Sequence, residues 1–214
     1  MSVMELNMPL IPDGNRIAYG GDQEWCRSKW KQMSGCGPTS GANLSAYYAA
    51  ARPELCTLYP GSTDAFDRGA YTDCIEEIFR YIAPGFMGYP YAKRFVRQYT
   101  RYAADHNVRL SGTCIGEAES PVQLFDFARR SIDSGNPLAL LVLGHRAPEL
   151  KEDTWHWVTV SGYTDGRNDR QLIVSNCGER QLWQAEILFE RHRKNYVRLL
   201  HFDPVSCPAA RAFP

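Results

Sequence analysis

Gly35-Cys36-Gly37-Pro38-Thr39-Ser40 sets a thiol in a glycine-flanked turn ahead of GANLSAYYAA, whose Ala42, Leu44, Tyr47, Tyr48 and Ala51 repeat at helical spacing until Pro53 stops them. A thiol at a helix start meets unpaired backbone N–H groups and the positive end of the helix dipole. Both favour the thiolate, so the position suits a nucleophile, and the same N–H groups can bind an oxyanion. Gly35 and Gly37 are expected to let a substrate backbone approach the sulfur. A nucleophilic thiol needs a base, and of five histidines (106, 145, 156, 192, 201) His156 opens the apolar run WHWVTVSGY between Trp155 and Trp157.

A second run, LIVSNCG (Leu172 to Gly178), follows across Thr164-Asp-Gly-Arg-Asn-Asp169, a hairpin-type turn. With the hairpin centred on Gly166, His156 and Asn176 oppose each other and the Asn176 amide orients the imidazole. Centring it on the Arg167–Asn168 step displaces the pair by three residues and changes the face.

The elements that must hold these residues divide along the chain. Helical spacing extends to Asp73–Ile82 and Tyr91–Ala104, and Ser120-Pro121 supplies a cap and first-turn proline for a helix ending near Gly135. Leu138–Leu143, Trp155–Tyr163, Gln171–Ser175 and Tyr196–Phe202 are rich in Leu, Val, Ile and aromatics between turn residues and read as an antiparallel sheet. Lys93, Arg94, Arg97 and Arg101, and the run Arg191-His192-Arg193-Lys194, read as solvated faces.

Composition limits the partners. The chain has 214 residues with 24 Lys plus Arg against 24 Asp plus Glu, so no electrostatic case for nucleic acid arises. The longest apolar run, Leu138–Leu143, is too short to span a membrane, and no membrane partner is expected. The N-terminus lacks a basic n-region, carries Glu5 and is broken by Pro9 and Pro12, so a cytoplasmic location is expected. Seven cysteines (26, 36, 56, 74, 114, 177, 207) contain no C-x-x-C pair, which suggests neither a disulfide framework nor a zinc ribbon. No metal or organic cofactor is called for.

In order and type, QMSGCGPTSGANLSAYYAA (Gln32 to Ala50), WHWVTVSGY and LIVSNCG resemble the papain-like cysteine peptidases. The Cys-Gly-Pro-Thr start is closer to the branch related to bacteriocin-processing peptidases than to papain and the cathepsins. The resemblance implies an α+β, papain-like fold across a single domain, 1–214. A mainly helical lobe (about 1–108) would carry Cys36 and a mainly antiparallel sheet lobe (about 109–214) His156 and Asn176, with the site between them. It implies Cys36 as nucleophile, His156 as base and then acid, Asn176 as orienting third member and Gln32 as oxyanion donor beside the Cys36 N–H. Gly35, Trp155 and Trp157 are expected to contact a peptide or amide substrate.

The usual Asn-Ser-Trp-Gly after the third member is here Asn176-Cys177-Gly178, and Trp183 or Trp157 is expected to shield the His–Asn pair instead. Cys177 itself reads as packing. With 35 residues before the nucleophile, no papain-type prosegment is expected. Two further functions fit the same residues. One is acyl or amine transfer in the manner of transglutaminases or arylamine acetyltransferases, and the other is a catalytically inactive binding module on the same fold. Oligomeric state is not specified.

Overall fold

The computed structural model describes residues 2–85, 88–167 and 169–205. An N-terminal strand β1 (Ser2–Glu5) precedes the hairpin β2 (Leu10–Asp13) and β3 (Arg16–Tyr19), and a 3-10 turn, Gln23–Trp25, leads into four helices. These are α1 (Lys29–Ser34), α2 (Cys36–Ala51), α3 (Arg68–Ile78) and α4 (Ala92–Asp105). Next come β4 (Leu110–Gly116), α5 (Pro121–Asp133), β5 (Leu138–Gly144), β6 (His156–Gly166), β7 (Asp169–Asn176), β8 (Glu179–Gln184), the short α6 (Ala185–Leu188) and β9 (Tyr196–Pro204). Seven of the strands form one antiparallel sheet in the order β4-β9-β5-β6-β7-β8, with β1 also paired to β6, while β2 and β3 pair separately.

The fold is α+β in the papain-like arrangement, a helix carrying Cys36 laid on an antiparallel sheet carrying His156 and Asn176. One element crosses the expected division near residue 108, and a helix of the second part lies on the sheet. β1 joins the sheet through Ser2↔Asp165 to Glu5↔Gly162, and α5 covers the face of the sheet opposite α2. Tyr163 donates to Asp133 of α5 at 2.7 Å, whereas Thr159, on the other face, meets α2. Ser120 and Gln123 close a reciprocal capping box at the start of α5, as Ser-Pro before an apolar run predicts.

The broad apolar face read for α2 understates its burial: from Cys36 to Ala49 the helix is buried on every side. Such a helix tolerates polar residues only if each finds a partner. Asn43 makes four bonds, its Oδ1 accepting from Gly21 N and Tyr71 Oη (2.7 Å each) and its Nδ2 donating to Thr159 Oγ1 (3.1 Å) and Ser175 Oγ (3.2 Å). Ser40 reaches Thr159 Oγ1 at 3.1 Å and Ser45 the Tyr99 hydroxyl at 3.0 Å. Leaving any one of these groups unpaired costs about 1–3 kcal/mol, so the network fixes α2, and with it Cys36, against β6 and β7. The aromatic core beneath is bonded in the same way. Tyr48 donates to Phe202 O and Tyr102 to Leu58 O, at 2.7 Å each.

Candidate active site

Cys36 is the first residue of α2 itself. α1 ends at Ser34, and Gly35, with helical φ −82° and ψ −3°, joins the two helices. A Cβ on Gly35 would lie 2.5 Å from Lys31 O and 3.2 Å from Gln23 Cβ, so this glycine allows α1 and the Gln23 turn to close on α2. Its expected role of admitting a substrate is corrected on that contact. Gly37 likewise faces inward, where a Cβ would meet Ile82 at 3.4 Å and Trp157 at 3.5 Å.

The Cys36 side chain is 7% exposed. Burial pushes its pKa up, but the hydrogen bond and charge of His156, helped by the backbone N–H groups of Trp157 and Gly37, hold it below the usual thiol value. Burial without such partners pushes Cys26 and Cys74 up to about 12. For His156, burial alone lowers the pKa, and contacts with Cys177 and Cys36 reverse the sign and carry it well above the usual imidazole range. Both directions favour the thiolate–imidazolium pair.

Gly166 pairs with Asp169, so the hairpin is not centred on Gly166 and the register is that of the alternative reading; Asn168 lies outside the described residues. That register alone would put His156 and Asn176 on opposite faces. A β-bulge between Val160 and Gly162 absorbs one residue, so that Thr159 pairs with Ser175 and the two side chains return to one face, diagonal rather than directly opposed. The bulge falls where β6 changes partner from β5 (Leu138↔Val160) to β1 (Glu5↔Gly162). His156 Nε2 lies 2.8 Å from Asn176 Oδ1. A diagonal pair is within reach of side chains of this length.

Asn176 is held in turn. Its Nδ2 donates to Asp153 Oδ1 at 2.8 Å and to Gln181 Oε1 at 3.1 Å, and the Trp183 indole N–H donates to the same Gln181 oxygen at 3.0 Å. Cys177 (φ +48°) and Gly178 (φ +75°) form the two-residue turn between β7 and β8, which sets Asn176 opposite Glu179 and brings β8 alongside. The shortened Asn-Cys-Gly segment thus places Trp183 behind Asn176 through Gln181. Cys177 is more than packing, because its Sγ lies 3.8 Å from His156 Nε2.

A family profile described as the Peptidase_C39 like family matches residues 23–199. The chain belongs to this family. Among solved structures, the crystal structure of the Pseudomonas avirulence protein AvrPphB aligns with a TM-score of 0.37 at 9% identity, covering 83% of this chain and 96% of that one. No curated protein sequence matches.

The expected oxyanion donor lies elsewhere than beside Cys36. Gln32 is not brought to the site: its Nε2 donates to the carbonyls of Glu24 (3.0 Å) and Cys26 (2.9 Å), which holds the chain before α1. Gln23 lines the same cavity as Cys36 and His156, and its Oε1 is buried without a partner among the described residues. Asp22 caps that turn by accepting from Glu24 N at 2.9 Å. The run Gly-Gly-Asp-Gln held this residue, but at 13 positions before Cys36 its only local signal was the Asp cap.

Trp157 is corrected from substrate contact to core. It is 2% exposed, donates to Tyr89 O at 2.7 Å and stacks on Phe95 at 4.5 Å between ring centroids. Trp155 stands exposed beside His156 with a left-handed backbone (φ +61°). Among the described residues no cluster of three His, Cys, Asp or Glu is placed to hold a metal, and no helix is long and apolar enough to cross a membrane.

Proposed function

We propose that this chain is a cysteine peptidase or amide hydrolase of the branch related to bacteriocin-processing peptidases, working through Cys36, His156 and Asn176. One observation carries the reading: Cys36, at the first position of a 16-residue helix, lines the same small cavity as His156, whose imidazole Nε2 is held by Asn176 Oδ1 at 2.8 Å. Asn176 occupies Nε2, leaving Nδ1 for the thiol. Cys36 gives its proton to His156 and the thiolate adds to the substrate carbonyl carbon. The oxyanion so formed is met by the Cys36 backbone N–H and the Gln23 side-chain amide.

The C–N bond then breaks, and the leaving amine takes the proton from His156. An acyl-thioester remains on Cys36. His156 next removes a proton from water, the hydroxide adds to the thioester, and the C–S bond breaks to release a carboxylate and restore the thiol–imidazole pair. The exposed indole of Trp155 suits an apolar or aromatic group next to the scissile bond.

Rapid quenching during turnover of a peptide library, with intact-mass and peptide mapping, tests the reading. An acyl adduct on Cys36 and a new free carboxylate in the product are expected, and an added primary amine leaves that product dominant. Absence of any adduct on Cys36 contradicts acyl transfer altogether. An amide formed with the added amine as main product instead assigns the transferase chemistry.

A further inference from the structure

On the helical side of the sheet, a groove of about 500 Å³ is lined by Tyr91, Lys93, Arg94 and Arg97 from the start of α4 and by Tyr196 and Arg198 from β9. No acidic residue lines it. Arg198 is paired with Glu117 outside the groove, while Lys93, Arg94 and Arg97 are exposed and have no carboxylate partner among the described residues. In a chain whose charges balance overall, three unpaired cations on one wall are a local segregation of charge. Helical spacing alone reads Lys93, Arg94 and Arg97 as a solvated face; β9 makes them one wall of a cleft.

The groove is tied through buried core contacts to Trp157, the neighbour of His156 on β6. The Arg94 guanidinium lies over the Tyr89 ring at 5.8 Å, Tyr89 O accepts from the Trp157 indole, and Phe95 of α4 stacks on that same indole. Trp157 lies between His156 in sequence and Gly37 in space. Across the sheet, Arg198 is in register with Leu141 and Leu141 with Trp157, a separation of two strand spacings, about 10 Å.

We propose that this groove is a substrate subsite that reads carboxylate side chains, so that the enzyme selects peptides carrying acidic residues to one side of the bond it cleaves. This rests on the peptidase reading above and assigns its substrate class. Aspartate and glutamate side chains would pair with Lys93, Arg94 and Arg97, while Tyr91 and Tyr196 give the peptide backbone apolar walls. A carboxylate-rich segment is favoured over duplex nucleic acid because a groove of this size admits one extended chain and the rest of the surface offers no excess positive charge.

The test measures anisotropy of fluorescent ten-residue peptides carrying Asp and Glu, or Asn and Gln at the same places, on the wild type and on Lys93→Glu/Arg97→Glu. Iodoacetamide labelling of Cys36 is followed in parallel. Three exposed ion pairs predict about tenfold tighter binding of the acidic peptide to the wild type, lost in the double variant and reduced by added salt. Labelling of Cys36 is expected to be equal in both proteins. Equal binding of the two peptides, or tighter binding of a DNA duplex or of phosphatidylserine vesicles than of the acidic peptide, overturns the subsite even where Cys36 labels rapidly. A Cys36 that resists labelling in the wild type removes the peptidase reading on which the proposal rests, whatever the peptides do.

Discussion

Alanine at Cys36 or at His156 lowers kcat on a cleaved peptide by about 10⁴–10⁶, and the double variant loses little more than either alone. On the proposed mechanism the two side chains act as one unit, because the imidazole of His156 holds the Cys36 thiol below its usual value. Without the sulfur there is nothing to acylate. Without the imidazole, only the backbone N–H groups of Trp157 and Gly37 oppose the burial of the thiol, so the nucleophile shifts toward the protonated state that burial imposes on Cys26 and Cys74, and the leaving amine is unassisted. Steady-state kinetics on the three proteins, with circular dichroism to confirm folding, give the comparison. Independent, additive losses would show that the two residues do not share a step.

Gln23→Ala lowers kcat by about 10²–10³ with little change in KM, whereas Gln32→Ala leaves kcat within about threefold. A donor that meets only the tetrahedral oxyanion stabilises the transition state and not the bound substrate, so its loss falls on kcat. Gln23 lines the cavity of Cys36, and Gln32 has already committed both donors of its amide to the carbonyls of Glu24 and Cys26. Loss of those two bonds in Gln32→Ala is read as lowered stability, about 1–2 kcal/mol by urea denaturation. A large kcat loss at Gln32 and none at Gln23 would reverse the two assignments.

The difference between the glutamines shows where sequence reasoning reaches its end. Cys36 and His156 were legible because local sequence marks them: glycines and Pro38 around a helix start, and a histidine opening an apolar run. Asn176 was legible only as a neighbour across a hairpin. The hairpin centre was off by more than one residue, and the pairing survived because a bulge at Ser161 restored the face, a compensation that depends on where β1 and β5 share an edge of β6.

Gln23, Asp153 and Gln181 gave almost no signal, since polar residues in loops and edge strands look alike until the fold brings them together. The strands β4 and β8 were missed for a related reason. They lie at the two edges of the sheet, where LSGTCIG and ERQLWQ carry small and polar residues in place of an apolar run. Trp157 was misread because an aromatic beside a reactive residue can serve a cleft or a core, and only packing on Phe95 and Gly37 decides between them.

The central claim is that His156 holds Cys36 as a thiolate. Its most direct test is iodoacetamide alkylation of each cysteine between pH 5 and 9, resolved by peptide mass mapping, in wild type and His156→Ala. A lowered thiol pKa and a raised imidazole pKa leave the ion pair populated between them, so Cys36 is expected to react below pH 7, well before a free thiol of pKa about 8.5. In His156→Ala only burial and the backbone N–H groups remain, and alkylation of Cys36 shifts to higher pH than in the wild type. A wild-type Cys36 that is alkylated only in the pH range of a free thiol, or a profile unchanged by the substitution, contradicts the account.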